Sequence, residues 1–210
     1  MMMDYRLYLV TDRTMLKQHT LTSMVKLAAG NGVSMVQYRD KQSSTRQLID
    51  EAYRLKEILA PMQVPLIIND RVDVALAVDA EGVHLGQQDM PVHLARKLLG
   101  REKVIGLSVE TQADMERAME MDVDYLGVSP VFLTPTKTDT RDEWGLEGLR
   151  KLAAQTNKPL VAIGGMHLEN AAEVIAAGAD GIAVVSEICA ADDPGRAAAA
   201  MRKLTVNSKQ

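Results

Sequence analysis

The stretch PLIINDRVDVALAVDAEGVHLGQQD, residues 65–89, contains two kinds of apolar pattern in alternation. Residues 65–68 form a short apolar, β-branched run, which predicts a buried strand. Apolar residues then recur at helical spacing over residues 72–78, and residues 83–85 form a second short run. The order strand, helix, strand is typical of a parallel βαβ unit.

Two acidic residues follow these predicted strands, Asp70 directly after the first and Asp89 soon after the second. Residues beyond the carboxyl ends of parallel strands line the functional site, so both carboxylates are expected to face one crevice. Two carboxylates suit a hard cation such as Mg²⁺, which leaves room for substrate phosphate. In the structural alternative, Asp70 caps the next helix and Asp89 begins a turn before Pro91. Spacing alone does not decide between the two interpretations.

The same alternation runs along the whole chain. Predicted strands occupy residues 7–10, 34–37, 65–68, 83–85, 104–107, 125–128, 160–163 and 181–185. Predicted helices occupy residues 21–29, 43–59, 72–78, 92–99, 111–121, 146–154, 168–177 and 196–204. Regular alternation without a linker predicts an α/β fold, a single-domain (β/α)₈ TIM barrel over residues 1–210 with residues 206–210 frayed. An open, doubly wound sheet is the alternative.

Composition excludes several classes of function. The net charge is −4, aromatic residues make up 3% of the chain and basic residues do not cluster, so nucleic-acid binding is not expected. No apolar run approaches the roughly 18 residues of a membrane span. The only cysteine, Cys189, cannot form an internal disulfide and is expected to be buried, which favours a cytoplasmic location. We expect small-molecule partners, and a homo-oligomer is left open.

A group of polar residues follows the second predicted strand. Gln37, Arg39 and Lys41 stand at every second position, so an extended backbone would point all three side chains the same way. Two cations and an amide suit a polyphosphate, because a guanidinium binds two oxygens at once. The alternative is a solvated, charged turn.

Three later loops carry further candidates. The long loop after the sixth strand contains the tetrapeptide Thr134, Pro135, Thr136 and Lys137, which joins hydroxyls to a cation on a stiffened backbone. Two glycines, 164 and 165, follow the seventh strand, and Val185 and Ser186 end the eighth. TIM barrels commonly hold a phosphate at these last two positions, where backbone N–H groups can approach an anion.

The histidines show no metal-ligand pattern. His84 lies inside a predicted strand and is expected to be a packed core residue. The other three, His19, His93 and His167, have no carboxylate or cysteine at metal-ligand spacing.

Taken together, QYRDK, IIND, GVHLGQQD, GLS, TPTK, IGG and VVS resemble the thiamine-phosphate synthase (thiamine-phosphate pyrophosphorylase) family over about residues 5–204. The resemblance implies a (β/α)₈ barrel that requires Mg²⁺. The implied reaction joins 4-amino-2-methyl-5-(diphosphooxymethyl)pyrimidine to a thiazole (carboxy)ethyl phosphate. It yields thiamine phosphate and pyrophosphate through a dissociative pyrimidine-methyl cation.

The resemblance also implies roles for individual residues. The residues expected to hold the pyrimidine diphosphate are Gln37, Arg39, Lys41, Asn69, Ser108 and Lys137, and of these Arg39, Lys41, Ser108 and Lys137 are expected to act in catalysis. Asp70 and Asp89 are expected to ligate Mg²⁺. The residues expected to hold the thiazole phosphate are Thr134, Pro135, Thr136, Gly165, Val185 and Ser186. One departure is Glu110, at a position where many members carry His.

Two rival functions remain on the same fold. A phosphosugar isomerase or aldolase would need a catalytic base or a Schiff-base lysine at a strand end, and no predicted strand contains Lys. A non-catalytic phosphate-binding barrel would be expected to have lost the paired carboxylates.

Overall fold

The computed structural model describes residues 3–133 and 143–206. Eight parallel strands form a closed barrel in which each strand pairs with its neighbours in sequence and the first pairs with the last. The strands are β1 (Leu7–Val10), β2 (Met35–Tyr38), β3 (Leu66–Asn69), β4 (Gly82–Leu85), β5 (Val104–Val109), β6 (Tyr125–Val128), β7 (Leu160–Ile163) and β8 (Gly181–Val184). The predicted (β/α)₈ barrel is confirmed, and the open sheet is wrong.

Helices surround this barrel. The α-helices are α1 (Leu21–Ala29), α2 (Thr45–Leu59), α3 (Val72–Ala77), α4 (Val92–Leu99), α5 (Gln112–Met119), α6 (Gly145–Ala153), α7 (Ala171–Ala176), α8 (Ser186–Cys189) and α9 (Pro194–Val206). Two short 3₁₀ turns occur at Arg13–Met15 and Ala60–Met62. None of the helices in residues 3–133 and 143–206 has the length and apolar character needed to cross a membrane.

The core has two layers because successive side chains of a strand point to opposite faces. One layer packs between the strands and the helices and contains most of the buried aliphatic residues. The other fills the barrel interior and consists of Tyr8, Val10, Met35, Ile67, Tyr125, Val161 and Ala183. Both faces of most strands are therefore buried, which explains why these strands read as nearly continuous apolar runs.

Helix boundaries follow from capping residues. Ser44 precedes α2 and forms a capping box with Gln47, so the helix begins later than the predicted residue 43. Thr20 caps α1 and Thr111 caps α5, each through a side-chain oxygen that accepts a hydrogen bond from a backbone N–H group. Cys189 is buried, as predicted.

Several predicted boundaries are corrected. Strand β5 continues to Val109, so Ser108 lies within a strand instead of beyond its end. Helix α7 begins at Ala171, three residues later than predicted, because the residues before it form a turn. The short helix α8 was not predicted, since four residues are too few for a helical period. Val206 ends α9, and residues 207–210, predicted to be frayed, lie outside the described residues.

Candidate active site at the carboxyl ends of the strands

The two predicted metal ligands lie close together beyond neighbouring strands. Asp70 follows β3 directly and adopts a left-handed backbone conformation, with φ of 62°, while its N–H donates to the carbonyl oxygen of His84 at 2.8 Å. One Asp70 carboxylate oxygen lies 2.6 Å from the ammonium group of Lys41. An Asp89 carboxylate oxygen accepts a 2.7 Å hydrogen bond from the backbone N–H of Gly86. Positive φ is rare for residues other than glycine, and the residues that adopt it are often found at functional sites.

The charge of Lys41 does not fully offset the effects of burial and of the neighbouring carboxyl group on Asp89. Burial raises the pKa of Asp89, and the adjacent carboxyl of Asp70 raises the pKa of Asp89 further. A carboxyl group beside a second carboxylate is harder to ionise, because like charges repel. The ammonium of Lys41 acts in the opposite direction and lowers the pKa of Asp89. A divalent cation between the two carboxylates would relieve the repulsion that remains.

The donor set fits magnesium better than a transition metal. The described residues include no group of three or more His, Cys, Asp or Glu side chains that could hold a metal ion. Two carboxylates would leave the other coordination positions to water and substrate, which is the arrangement that Mg²⁺ usually adopts.

The structural alternative for Asp70 is wrong. Helix α3 begins after Arg71, and no side chain caps its first turn. Asp89 does have a structural contact, but it closes the turn that starts at Gly86 instead of opening one before Pro91. The carboxylate of Asp70 is therefore available for a role other than capping.

The three polar residues around the end of β2 lie in different environments. Gln37 is buried in the barrel interior, where its amide nitrogen donates to the hydroxyl of Tyr8 at 2.9 Å. Arg39 is held through its backbone N–H by the hydroxyl of the buried Thr11 at 3.0 Å. The guanidinium of Arg39 forms no hydrogen bond or ion pair with any residue that the structure describes. An unpaired guanidinium beside a barrel mouth is available to an anion.

Asn69 and Ser108 flank His84. Asn69 ends β3 and stands opposite His84 in the strand register. The Ser108 hydroxyl lies 3.0 Å from the Nε2 atom of His84. His84 lies within β4, as predicted, and its ring packs against Tyr125. It also contacts a predicted site residue, so it belongs to the site as well as to the core.

The predicted phosphate site contains a tight glycine turn and a helix start. Gly164 and Gly165 have φ values of 99° and 64°. A Cβ atom on Gly165 would lie 2.8 Å from the Cβ of Phe132, so the loop after β7 packs directly against the loop after β6. Ser186 is the first residue of α8, and Val185 immediately precedes it. The strand ends therefore bring Gly165, Val185 and Ser186 to the same side of the barrel.

The loop with Thr134, Pro135, Thr136 and Lys137 lies outside the described residues. The residues that flank it are described. The backbone N–H of Leu133 donates to a carboxylate oxygen of Glu143 at 2.8 Å, so the two ends of this loop meet.

Sequence reasoning missed three buried residues that support the predicted site residues. Tyr8 and Tyr125 are fully buried, and their hydroxyls join the side chains of Gln37 and His84. The alternation of side chains along a strand could have revealed this contact. Tyr8 and Gln37 both stand at positions that point into the barrel, on two strands that pair with each other. Thr11 was the third, since its hydroxyl fixes the backbone that carries Arg39.

The fold and the site define a TIM-barrel protein whose carboxylates and cations collect at the carboxyl ends of the strands. A family model described as thiamine monophosphate synthase matches residues 7–188, so the chain belongs to that family. A thiamine-phosphate synthase of Albidiferax ferrireducens is 58% identical over 199 residues, which cover 95% of this chain and 91% of the relative. One from Leptospira biflexa is 52% identical over 93% of this chain and 95% of its own.

A solved structure agrees with this assignment. A thiamine phosphate pyrophosphorylase from Pyrococcus furiosus superposes with a TM-score of 0.90 at 37% identity, and the match covers 99% of this chain and 98% of that one. The family resemblance predicted from the sequence is confirmed.

Proposed function

We propose that this protein is a thiamine-phosphate synthase. It transfers the methylpyrimidine group of an aminopyrimidine diphosphate to the nitrogen of a thiazole phosphate and releases pyrophosphate. The observation that carries the proposal is the convergence of Asp70, Asp89 and Lys41 at the mouth of a barrel of this family, with Arg39 two residues before Lys41 in the same loop. Departure of pyrophosphate requires neutralisation of its developing charge, and this set of residues can provide that.

The pyrimidine diphosphate would bind across β2, β3 and β5. Gln37 and Asn69 supply uncharged hydrogen-bonding groups for the pyrimidine end, and Ser108 supplies a hydroxyl that can donate to the diphosphate. Arg39, Lys41 and Lys137 supply positive charge for the diphosphate. Breaking the C–O bond leaves a cation that the ring amine stabilises, so the reaction needs no nucleophilic side chain. The eight strands contain no Lys, Asp or Glu, which disfavours the aldolase and isomerase alternatives.

Asp70 and Asp89 would hold Mg²⁺, which when bound supplies positive charge to the oxygens of the departing diphosphate. In the structure the positive charge beside Asp70 comes from Lys41, whose ammonium group lies 2.6 Å from an Asp70 carboxylate oxygen. Exchange of this ion pair for metal and substrate would free Lys41 to contact the diphosphate.

The thiazole phosphate would bind on the opposite side of the mouth. Gly165 and the first turn of α8, with Val185 and Ser186, offer backbone N–H groups for a phosphate. Thr134, Pro135 and Thr136 would complete this pocket from the loop after β6. Anchoring the phosphate there holds the thiazole nitrogen near the cation, which converts the bond-forming step into an intramolecular one.

For an enzyme of this kind we expect small-molecule partners and a cytoplasmic location.

The test is formation of product from both substrates. Purified protein with the pyrimidine diphosphate, the thiazole phosphate and Mg²⁺ should yield thiamine phosphate and pyrophosphate in equal amounts, and omission of either substrate should abolish the product. Asp70→Asn should lower turnover at least about a hundredfold, because it removes charge that holds the metal. Asp73→Asn is the matched control. Asp73 lies on α3 and pairs with Arg71, so this substitution should leave turnover unchanged. Folded wild-type protein that forms no thiamine phosphate would refute the proposal.

A further inference from the structure

A continuous series of side-chain hydrogen bonds crosses the barrel interior. The Gln37 amide nitrogen donates to the Tyr8 hydroxyl at 2.9 Å, and the Tyr8 and Tyr125 hydroxyls are 2.9 Å apart. The Tyr125 hydroxyl lies 2.8 Å from Nδ1 of His84, and Nε2 of His84 lies 3.0 Å from the Ser108 hydroxyl. We call these five side chains the relay. Its two ends, Gln37 and Ser108, are both residues proposed to bind the pyrimidine diphosphate.

Glycine residues in two strands leave space for the aromatic rings of the relay. Gly106 lies opposite Tyr125 in the strand register, and a Cβ atom there would overlap the Tyr125 ring. A Cβ on Gly127 would lie 2.9 Å from Cε1 of His84. Glycine within a strand weakens the strand and marks a close approach. Two such glycines beside the relay rings indicate that the rings occupy specified positions.

The relay has a direction, because each hydroxyl carries a single proton. The Tyr8 hydroxyl accepts from Gln37. If every hydroxyl donates to the next member of the relay, Tyr8 donates to Tyr125, and Tyr125 donates to Nδ1 of His84. A neutral imidazole then carries its proton on Nε2 and donates it to Ser108. The Ser108 proton is left to point away from His84, and the carbonyl oxygen of Gln37 is left as an acceptor. Rotation of the Gln37 amide would reverse every bond, so the two ends always present opposite polarity.

We propose that Tyr8, Tyr125 and His84 are positioning residues that set the hydrogen-bonding polarity of the site. Gln37 presents an acceptor, Ser108 presents a donor, and the ligand must donate at the first and accept at the second. The identification of the ligand rests on the proposed function: the ring amine of the pyrimidine donates to Gln37, and a diphosphate oxygen accepts from Ser108. Hydrogen bonds in a chain strengthen one another, so binding of the anion at Ser108 improves the acceptor at Gln37.

The first test reads the histidine tautomer without any substrate. In ¹H–¹⁵N spectra of the ligand-free protein, recorded where imidazole is neutral, His84 should carry its proton on Nε2. Loss of the signal in His84→Asn identifies His84 among the four histidines of the chain. Tyr125→Phe removes the donor to Nδ1 and should shift the ring to a mixture of tautomers. A proton on Nδ1, or on both nitrogens, in the wild type would overturn the proposal.

The second test reads selectivity. The wild type should bind the aminopyrimidine diphosphate at least about tenfold more tightly than an analogue with a carbonyl oxygen in place of the amine, because two acceptors would face each other at Gln37. In Tyr125→Phe the ends are uncoupled, Gln37 can rotate freely, and the ratio of the two dissociation constants should fall towards one. Tyr8→Phe breaks the relay one residue earlier and serves if Tyr125→Phe does not fold.

Tyr5→Phe is the matched control. The Tyr5 ring packs on Tyr125 with centroids 5.2 Å apart, and its hydroxyl takes no part in the relay. This variant should keep both the tautomer and the selectivity of the wild type. An unchanged ratio in Tyr125→Phe with normal product formation would refute the relay and leave the proposed function standing. The Nε2 tautomer in a protein that forms no thiamine phosphate would refute the function and leave the relay standing.

Discussion

At the scale of single residues, Asp89 stands out because folding places its carboxyl group in an unfavourable environment. Burial raises the pKa of Asp89 first, and the neighbouring Asp70 raises it further. A carboxyl group whose pKa is raised on folding opposes folding wherever it is ionised, and the penalty disappears where it is protonated. Asp89 therefore reduces the free energy of unfolding at neutral pH, and a bound cation would remove that reduction.

Asp89→Asn should accordingly raise the melting temperature of the metal-free protein at pH 7. An asparagine oxygen can still accept the hydrogen bond from Gly86, so the turn is kept. The gain should shrink as pH falls towards the ordinary carboxyl pKa, because the wild-type carboxyl becomes protonated there. Thermal melts of both proteins across this pH range are the measurement.

Magnesium titration and a second variant complete this prediction. Mg²⁺ should raise the melting temperature of the wild type and have little effect on Asp89→Asn. Asp73→Asn should behave in the opposite way at neutral pH, since a hydrogen bond from Arg71 lowers the pKa of Asp73 and its ionised form favours folding. A lower melting temperature for Asp89→Asn at pH 7 would show that the carboxylate pair is not under repulsion.

At the scale of elements, the turn after β7 depends on glycine for two separate reasons. Gly165 has a φ of 64°, and a Cβ there would lie 2.8 Å from the Cβ of Phe132. Its carbonyl oxygen also accepts a 2.7 Å hydrogen bond from the side chain of Asn170, which fixes the turn against the start of α7. Strain and overlap therefore add at this position.

Gly165→Ala should destabilise the protein by more than the roughly 1–2 kcal/mol that a left-handed backbone alone costs an L-residue. Gly145→Ala separates the two causes, because Gly145 has a φ of 58° and no atom within 4 Å of the added Cβ. Denaturant unfolding should rank Gly165→Ala as the less stable variant, and affinity for the thiazole phosphate should fall only in that variant. Equal losses of stability would mean that the contact with Phe132 adds nothing.

Helix α8 gives a second prediction at this scale. Ser186→Asp places a negative charge at the first position of α8, where the thiazole phosphate is proposed to bind, so that phosphate should be repelled. An acidic residue suits the first turn of a helix, so the fold should persist. Calorimetry should show loss of thiazole phosphate binding and retention of pyrimidine diphosphate binding. Thr20→Asp, at the cap of α1, is the control and should retain both; equal loss of both ligands in Ser186→Asp would contradict the division of the pockets.

At the scale of the whole molecule, the sequence predicts the barrel well for a physical reason. Strands buried on both faces are largely apolar, so runs such as residues 160–163 are visible without structural information. Boundaries were less predictable where a cap or a turn decides them, as at Ser44 and before Ala171. Polar residues that end strands, such as Asp70, were also visible, since topology alone brings strand ends together.

The relay could not be predicted in this way. Tyr8 and Tyr125 are separated by 117 residues, and their hydroxyls meet only when the barrel closes. In the sequence each is an aromatic residue in a short apolar run, which is equally typical of a purely hydrophobic core. The contact between His84 and Ser108 was hidden because β5 extends further than its apolar pattern indicates.

The central claim is that the pyrimidine diphosphate lies across the barrel mouth with the relay beneath it. A crystal structure with this ligand and Mg²⁺ tests it most directly. We predict the ring amine against the carbonyl oxygen of Gln37, the diphosphate against Arg39 and Ser108, and one Mg²⁺ between Asp70 and Asp89. A ligand bound elsewhere on the barrel, or one whose ring amine and diphosphate avoid both ends of the relay, would contradict the account.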